Sequence, residues 1–456
     1  MKDVPFGLDL EKRVSLREVF SDYKMLESRE LTFCGWISKI EEEETYLNLY
    51  FKDGSSSQSA NITIAKDQID NYQQVAKATI GTSIILSASV IVIDDHTPFV
   101  LRANKIVISQ LAQKGYPLHQ ENLSLQELRK LSHLRPRTGV FYAIFRIRSV
   151  LMYKIHDFFY HRGFTCVTVP IVSCCSSTRL DEYFKVDIIS KKEEGKQKLF
   201  LKDSAQLENE CFSTAFSNVY SYGPRFHVSK DAFEEDTPET WRLEAVMQFS
   251  DMDTNVVFVK QLLEYLFHNA VAEFQEEIEL LDHVTKGRVQ QHLLSVQEQD
   301  YEYITYTGAI EILNQKNSDT LEWGNALTLE HERYLTEKFF GKPLIIMDYP
   351  KELKPFYMQV NKDGKTCRSF HFVFPYVGTV VIGSQREMKL EKLEERMKNQ
   401  GLDMKKYSWY LDTRRFGSTL CTGFGMAVEK IVMLITGMKS IEDVIPFPRE
   451  AGNCLY

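Results

Sequence analysis

The sequence predicts an α+β protein, with a small β-barrel first and then a mostly antiparallel sheet flanked by helices. Three observations carry this. Residues about 30 to 110 hold five strand-like runs broken by Gly, Asp, Asn and Ser. Beyond them, strands and helices alternate irregularly, with no repeated βαβ unit. No internal repeat or low-complexity segment interrupts either part.

The strand-like runs are LTFCGWISKI, TYLNLYFKDG, ANITIAK, TSIILSASVIVI and KIVISQ, with a short helix near QIDNYQQVAKA. Five strands and one helix suit an OB-type barrel over 1–110, a class that often binds single-stranded nucleic acid. Residues 111–138 are polar, carry Pro117 and Pro136, and read as a hinge. Within it Asn122 or Ser124 is placed to cap a short helix. Residues 139–456 form the second domain. It opens with an amphipathic helix from about Val140 to His161, closed by Gly163. The strand FTCVTVP then ends at Pro170. VKQLLEYLFHNAVAEFQEEIELLDHV reads as one long helix, and LIIMDYP, FYMQVN, FHFVFPY and TVVIG as a strand meander.

Composition bounds the function without naming it. The chain has 456 residues, 43% hydrophobic and 26% charged, which is ordinary globular usage. A net charge of -8 excludes a global basic footprint and leaves only a local one for nucleic acid. No apolar run reaches ~18 residues, so no membrane span is expected. The N-terminus lacks the apolar core of a signal peptide. The eight cysteines include no CxxC pair, so reduced thiols in a cytoplasmic protein are expected rather than disulfides or zinc.

Ordered motifs carry a resemblance along nearly the whole chain. They include Cys34-Gly35-Trp36, His133 to Thr138, Gly163 to Pro170, Val219 to Pro224, Trp323-Gly324, Glu330 to Leu335 and Asp348 to Lys351. Gly383-Ser384-Gln385-Arg386-Glu387 and Asp443 to Arg449 are very specific. Between these two lies Gly423-Phe424-Gly425, read as a glycine-rich turn before an apolar helix. The set resembles the asparaginyl-tRNA synthetase family of class II aminoacyl-tRNA synthetases, as a divergent paralogue. The resemblance implies a class II antiparallel sheet, a homodimer, a small amino-acid substrate and tRNA read through the barrel. It also implies ATP and magnesium, if the family's activity is retained. Fixed cations would neutralise phosphate charge in such a reaction, with the metal held by carboxylates.

The resemblance also marks departures. Phe226 keeps the family's nucleotide-site phenylalanine, but the following phosphate arginine is His227 and the adenine-side glutamate is Ser229. A family Arg-His pair in the next loop is Glu235-Asp236. The two metal carboxylates become His371 and Thr379, and a glycine becomes Ile382. The last-motif arginine is Lys430, following Gly423 and Gly425, and a histidine becomes Cys421. On the amino-acid side, Gln206, Glu239, Glu244 and Arg386 keep family identities, while the substrate-sensing glutamate of a flexible loop is Thr178. On the barrel, Asn48 and Asn61 occupy base-reading positions, with Tyr46, Tyr50 or Phe51 as candidate stacking residues.

The expected function is therefore a synthetase-like protein whose ATP-dependent aminoacylation is lost or remodelled, acting as a binding paralogue for tRNA, an amino acid or a protein. Three alternatives stay open. One is a remodelled ATP-dependent ligase forming an amide or aminoacyl ester; another is an active asparagine–tRNA ligase. The third is a Cys/His site in the old nucleotide pocket, built from His227, His371, Cys421 and the Cys174-Cys175 pair.

Overall fold

The computed structural model describes residues 13–66, 68–94, 98–119, 123–175, 184–186, 199–227, 237–297, 301–316 and 321–449. The chain divides into two compact units, 1–142 and 143–456.

The first unit begins with α1 (Leu16–Asp22), whose Ser15 and Glu18 form a reciprocal capping box. Then come β1 (Glu30–Glu42), β2 (Tyr46–Lys52), β3 (Ala60–Ala65), α2 (Tyr72–Val75), β4 (Ser83–Val92) and β5 (Phe99–Gln110). The five strands close a barrel in the order β1-β2-β3-β5-β4. Period-two alternation sends Leu47, Leu49 and Phe51 of β2 inward and Tyr46, Asn48 and Tyr50 outward. Gly35 is required because a Cβ there would stand 2.2 Å from the Lys52 carbonyl oxygen. Past the barrel, Ser124 caps α3 (Leu125–Arg129) with Glu127, as one of the two candidates predicted; Asn122 lies outside the described residues.

The second unit begins within α4 (Gly139–His161), after which Gly163 turns the chain with φ +73°. A small sheet of β7 (Val172–Ser173), β8 (Lys185–Val186) and β9 (Leu199–Leu201) comes after β6 (Thr165–Cys166). The chain continues through α5 (Gln206–Phe216), β10 (Asn218–Phe226), β11 (Glu239–Gln248), α6 (Met252–Glu273), α7 (Gln275–Thr285) and α8 (Arg288–Gln297). Next come β12 (Glu302–Thr305), α9 (Tyr306–Lys316), α10 (Leu329–Arg333), β13 (Leu344–Met347), β14 (Ser369–Phe374) and β15 (Gly378–Gln385). The last elements are α11 (Leu390–Asn399), α12 (Ser408–Arg415), β16 (Cys421–Ala427) and α13 (Val428–Thr436). The main sheet runs β12-β13-β14-β15-β16-β11-β10-β6 and is antiparallel except at its two ends. No described helix is long and apolar enough to cross a membrane.

Four expectations are corrected. The long helix is two, broken at Phe274 by φ −128°, with no Pro or Gly to announce it. FYMQVN is not a strand; Met358 and Val360 make only isolated bridges. FTCVTVP pairs as a strand over two residues alone. Gly423-Phe424-Gly425 is not a turn but the middle of strand β16, where neither glycine has positive φ.

Candidate functional site

The sheet register assembles the site. One row crosses it as Ser221, Glu244, Gly425, Ile382, His371 and Ile346 on successive strands. Residues two apart on a strand share a face, so Gly423 joins Gly425 there. A Cβ at Gly425 would stand 2.5 Å from Arg242 Nε, and one at Gly423 would stand 2.7 Å from Arg386 Nη2. The two glycines thus clear space for two arginines over the sheet, which is why they sit in a strand.

Around these arginines lies a cavity of about 190 Å3. Arg225, Arg242, Lys354 and Arg386 line it with Asp203 and Glu244, so its charge is positive on balance. The wall near α5 is a closed polar network. Ser204 Oγ donates to Glu244 at 2.6 Å, and the Ala205 amide donates to the other carboxylate oxygen at 2.5 Å. Gln206 Nε2 donates to the Phe424 carbonyl at 2.9 Å, while Arg386 donates to Gln206 Oε1 and to Ser384. Behind Arg386, its Nε stands 2.9 Å from buried Glu210, which also accepts from Tyr410 at 2.6 Å and Arg414 at 2.7 Å. The Arg386 guanidinium lies 4.8 Å over the Tyr357 ring. Such an arrangement presents fixed donors and a planar fork to a small polar anion.

The opposite wall differs in kind. His371 stacks on Tyr349 at 4.0 Å, and its Nε2 stands 2.5 Å from Lys354 Nζ. Burial drives the Lys354 ammonium down to about 7. Burial, then the charges of Lys354, Arg242 and Lys430, push His371 well below the usual imidazole range. Thr379 donates its hydroxyl and its amide to Glu332. A hard divalent cation needs several carboxylate or carbonyl oxygens. Here a buried ammonium fills the space beside His371, and the Glu332 carboxylate is occupied by Thr379. These residues do not fit magnesium. Among the described residues, no cluster of three or more His, Cys, Asp or Glu could hold a metal.

Residues 124–451 match the family described as tRNA synthetases class II (D, K and N). The chain belongs to this family. It is 36% identical to the asparagine–tRNA ligase of Acetivibrio thermocellus over 98% of this chain and all of that one. Identity to the Clostridium tetani asparagine–tRNA ligase is 34%, again over 98% of this chain and all of that one. Among solved structures, the asparaginyl-tRNA synthetase of Pyrococcus horikoshii complexed with asparaginyl-adenylate superposes with a TM-score of 0.86 at 26% identity. That match covers 96% of this chain and 98% of the other. The chain is thus similar to asparagine–tRNA ligases in both sequence and fold.

Against that family the predicted residues sort as follows. Gln206 and Arg386 meet in one cavity, with Glu244 beside them. Glu239 pairs across the strands with Phe226, and both are half-buried at the open end of β10 and β11. His227 follows Phe226, its amide donating to the Pro238 carbonyl at 3.1 Å. Lys430 is half-buried on α13. Thr178, Ser229 and the Glu235-Asp236 pair lie outside the described residues. On the barrel, Asn48 and Asn61 face outward; Asn48 accepts from Thr63 at 3.0 Å, and Asn61 Oδ1 is buried without a partner. Phe51 is corrected: it is 0% exposed in the barrel core and cannot stack on a base.

The Cys/His constellation is not brought together. Cys421 borders a separate cavity with Glu210 and Arg414, and burial first of all pushes its thiol up to about 12. Cys175, close to Cys174 and to the Lys406 carbonyl, is pushed up to about 11, again chiefly by burial. Neither thiol is poised as a nucleophile at neutral pH. Sequence reading missed Lys354, Glu210, Tyr410 and Arg414. Only Glu210 carried a local signal, four residues after Gln206 on the same face of α5.

Proposed function

We propose that this chain is a paralogue of the asparagine–tRNA ligases whose ATP-dependent activation of an amino acid is lost or remodelled. It binds a small amino acid in the Gln206–Arg386 cavity and serves as a binding or regulatory module for tRNA, an amino acid or a protein. The buried Lys354–His371 pair carries this reading, because a nitrogen pair stands where the family's metal chemistry would require oxygen ligands. Losing one transition-state donor costs ~10²–10³ in rate, and here His227, Ser229, His371 and Thr379 all depart together. The reading includes a cytoplasmic homodimer, with RNA met by the outward face around Asn48 and Asn61. It also takes 1–110 as the barrel domain, 111–138 as the hinge and 139–456 as the synthetase-like domain. Asparagine-dependent ATP–pyrophosphate exchange by the purified protein is expected to be absent; robust exchange would sink the reading.

A second reading, a remodelled ligase that still consumes ATP, is favoured by Arg225, Arg242 and Lys354 on one cavity wall. These cations would meet phosphates without a metal. Thermal protection by millimolar ATP in the presence of a chelator supports that reading, and its absence argues for the first.

A further inference from the structure

The first unit holds a second cavity, of about 350 Å3, whose lining belongs entirely to residues 36–142. It lies between the outer wall of the barrel and the segment that follows β5. Trp36 on β1 and Lys52 on β2 are direct cross-strand partners, so their side chains stand together on the outward face. Trp36 is 45% exposed. Tyr116 closes the other side, its ring 3.1 Å from where a Cβ would stand at Gly81. Arg137 lies 5.8 Å from the Tyr116 ring centroid and donates to its hydroxyl at 3.5 Å.

The charges of this cavity are unbalanced. Lys52 and Arg137 line it, and no carboxylate does, although the chain as a whole is acidic. Lys52 is half-buried with no hydrogen-bond or ion-pair partner among the described residues, and burial lowers its affinity for a proton. A desolvated, unpaired ammonium is costly unless an anion joins it. The Tyr142 hydroxyl in the same wall is also buried without a hydrogen-bond partner among the described residues. The cavity therefore offers an aromatic face, two cations and an orphan hydroxyl. Its volume falls at the lower end of the ~300–1,000 Å3 of small-molecule sites.

We propose that this cavity is a binding site for one nucleotide, its base on Trp36 and its phosphate between Lys52 and Arg137. Stacking on an aromatic plane and cationic capture of phosphate are the two interactions that recognise a nucleotide in an unpaired state. The ligand is a free mononucleotide rather than a unit of an RNA strand. The site does not depend on what the second unit's cavity binds. It lies at the end of the outward row of β2 that runs Asn48, Tyr50, Lys52, with Asn61 paired across from Tyr50.

Photo-crosslinking of the full chain tests the proposal. Two probes are used, 8-azidoadenosine 5′-monophosphate and an RNA oligonucleotide carrying 4-thiouridine, with adducts mapped by mass spectrometry. Label is expected at 36–38, 52–56 or 116–142; label confined to Asn48, Tyr50 or Asn61 counts against the proposal. Labelling should fall at least ~10-fold in a Lys52→Gln/Arg137→Gln double variant, as expected for losing charge-assisted contacts. Trp36→Leu should weaken it as well. All three side chains are exposed or half-buried, and thermal melts confirm that the variants fold. Competition by unlabelled AMP is expected; labelling competed by RNA but not by AMP overturns the proposal. Adducts only in the second unit, or labelling indifferent to the substitutions, overturn the proposal.

Discussion

The two walls of the 190 Å3 cavity face each other across one sheet but are built on opposite principles. On the α5 side each buried charge has an opposite charge or fixed donors: Arg386 and Arg414 hold Glu210, and Glu244 accepts from Ser204 and the Ala205 amide. On the β14 side, Lys354 is buried with no ion-pair partner among the described residues, against an imidazole and an aromatic ring. A paired network is rigid because its charged groups hold one another in place. An unpaired buried cation holds free energy in reserve for an incoming anion. The α5 wall therefore holds its groups in place, whereas the opposite wall carries a buried amine that titrates near neutrality.

The largest way to break this contrast is Arg386→Met. Glu210 would keep Arg414 but lose its second cation, and Gln206 would lose the donor that orients its side chain. Breaking a buried pair costs ~3–5 kcal/mol, so a loss near the lower end is expected in urea unfolding. Asparagine binding measured by calorimetry should vanish with it. A variant of unchanged stability would mean that the two arginines do not share the Glu210 charge.

Much of this architecture was written in local pattern. The barrel was legible because Leu47, Leu49 and Phe51 alternate with outward polar positions, and the capping box at Ser124 and Glu127 fixed a short helix. The same pattern misled at Phe51, where an aromatic in an alternating strand reads equally well as core or as stacking surface. Gly423 and Gly425 were misread for a related reason. Glycine signals either a turn or a close approach, and only the register that brings Arg242 and Arg386 over them decides. Glu210 and Arg414 are 204 positions apart, and Lys354 meets His371 across 17. No periodicity links such pairs. The α6–α7 break at Phe274 carries no helix-breaking residue at all.

The unpaired wall makes a prediction of opposite sign. Lys354 has a folded pKa of about 7, below its ordinary 10.5. Between these values the unfolded chain holds a proton that the folded chain lacks, so stability from this group rises with pH across the window. It is lowest below about 7 and fully recovered above 10.5. His371, also depressed, extends the same trend downward below 6.5. Lys354→Met keeps most of the apolar stem and removes the titration. Relief of the buried ammonium is worth on the order of 3 kcal/mol at pH 7, offset by ~1–3 kcal/mol for leaving His371 Nε2 unpartnered. The sharper signature is the slope. Urea midpoints of the variant should lose the rise between pH 7 and 10 that the parent shows; equal slopes would mean Lys354 is not buried as an unpaired group.

The smallest effect separates the two strand glycines. At Gly423 a Cβ would stand 2.6 Å from the Ala245 carbonyl oxygen, which is backbone and cannot yield. Gly423→Ala should therefore cost ~1–3 kcal/mol through overpacking. At Gly425 the three nearest atoms all belong to the Arg242 guanidinium, the end of a flexible side chain. Gly425→Ala should cost under ~1 kcal/mol, yet it would displace Arg242 from the cavity it lines and weaken asparagine binding. Stability and affinity thus part company at Gly425 and fall together at Gly423. If the Gly425 variant unfolded as easily as the Gly423 variant, Arg242 would have to be locked in place, and the wall facing α5 would be less adaptable than a flexible arginine side chain implies.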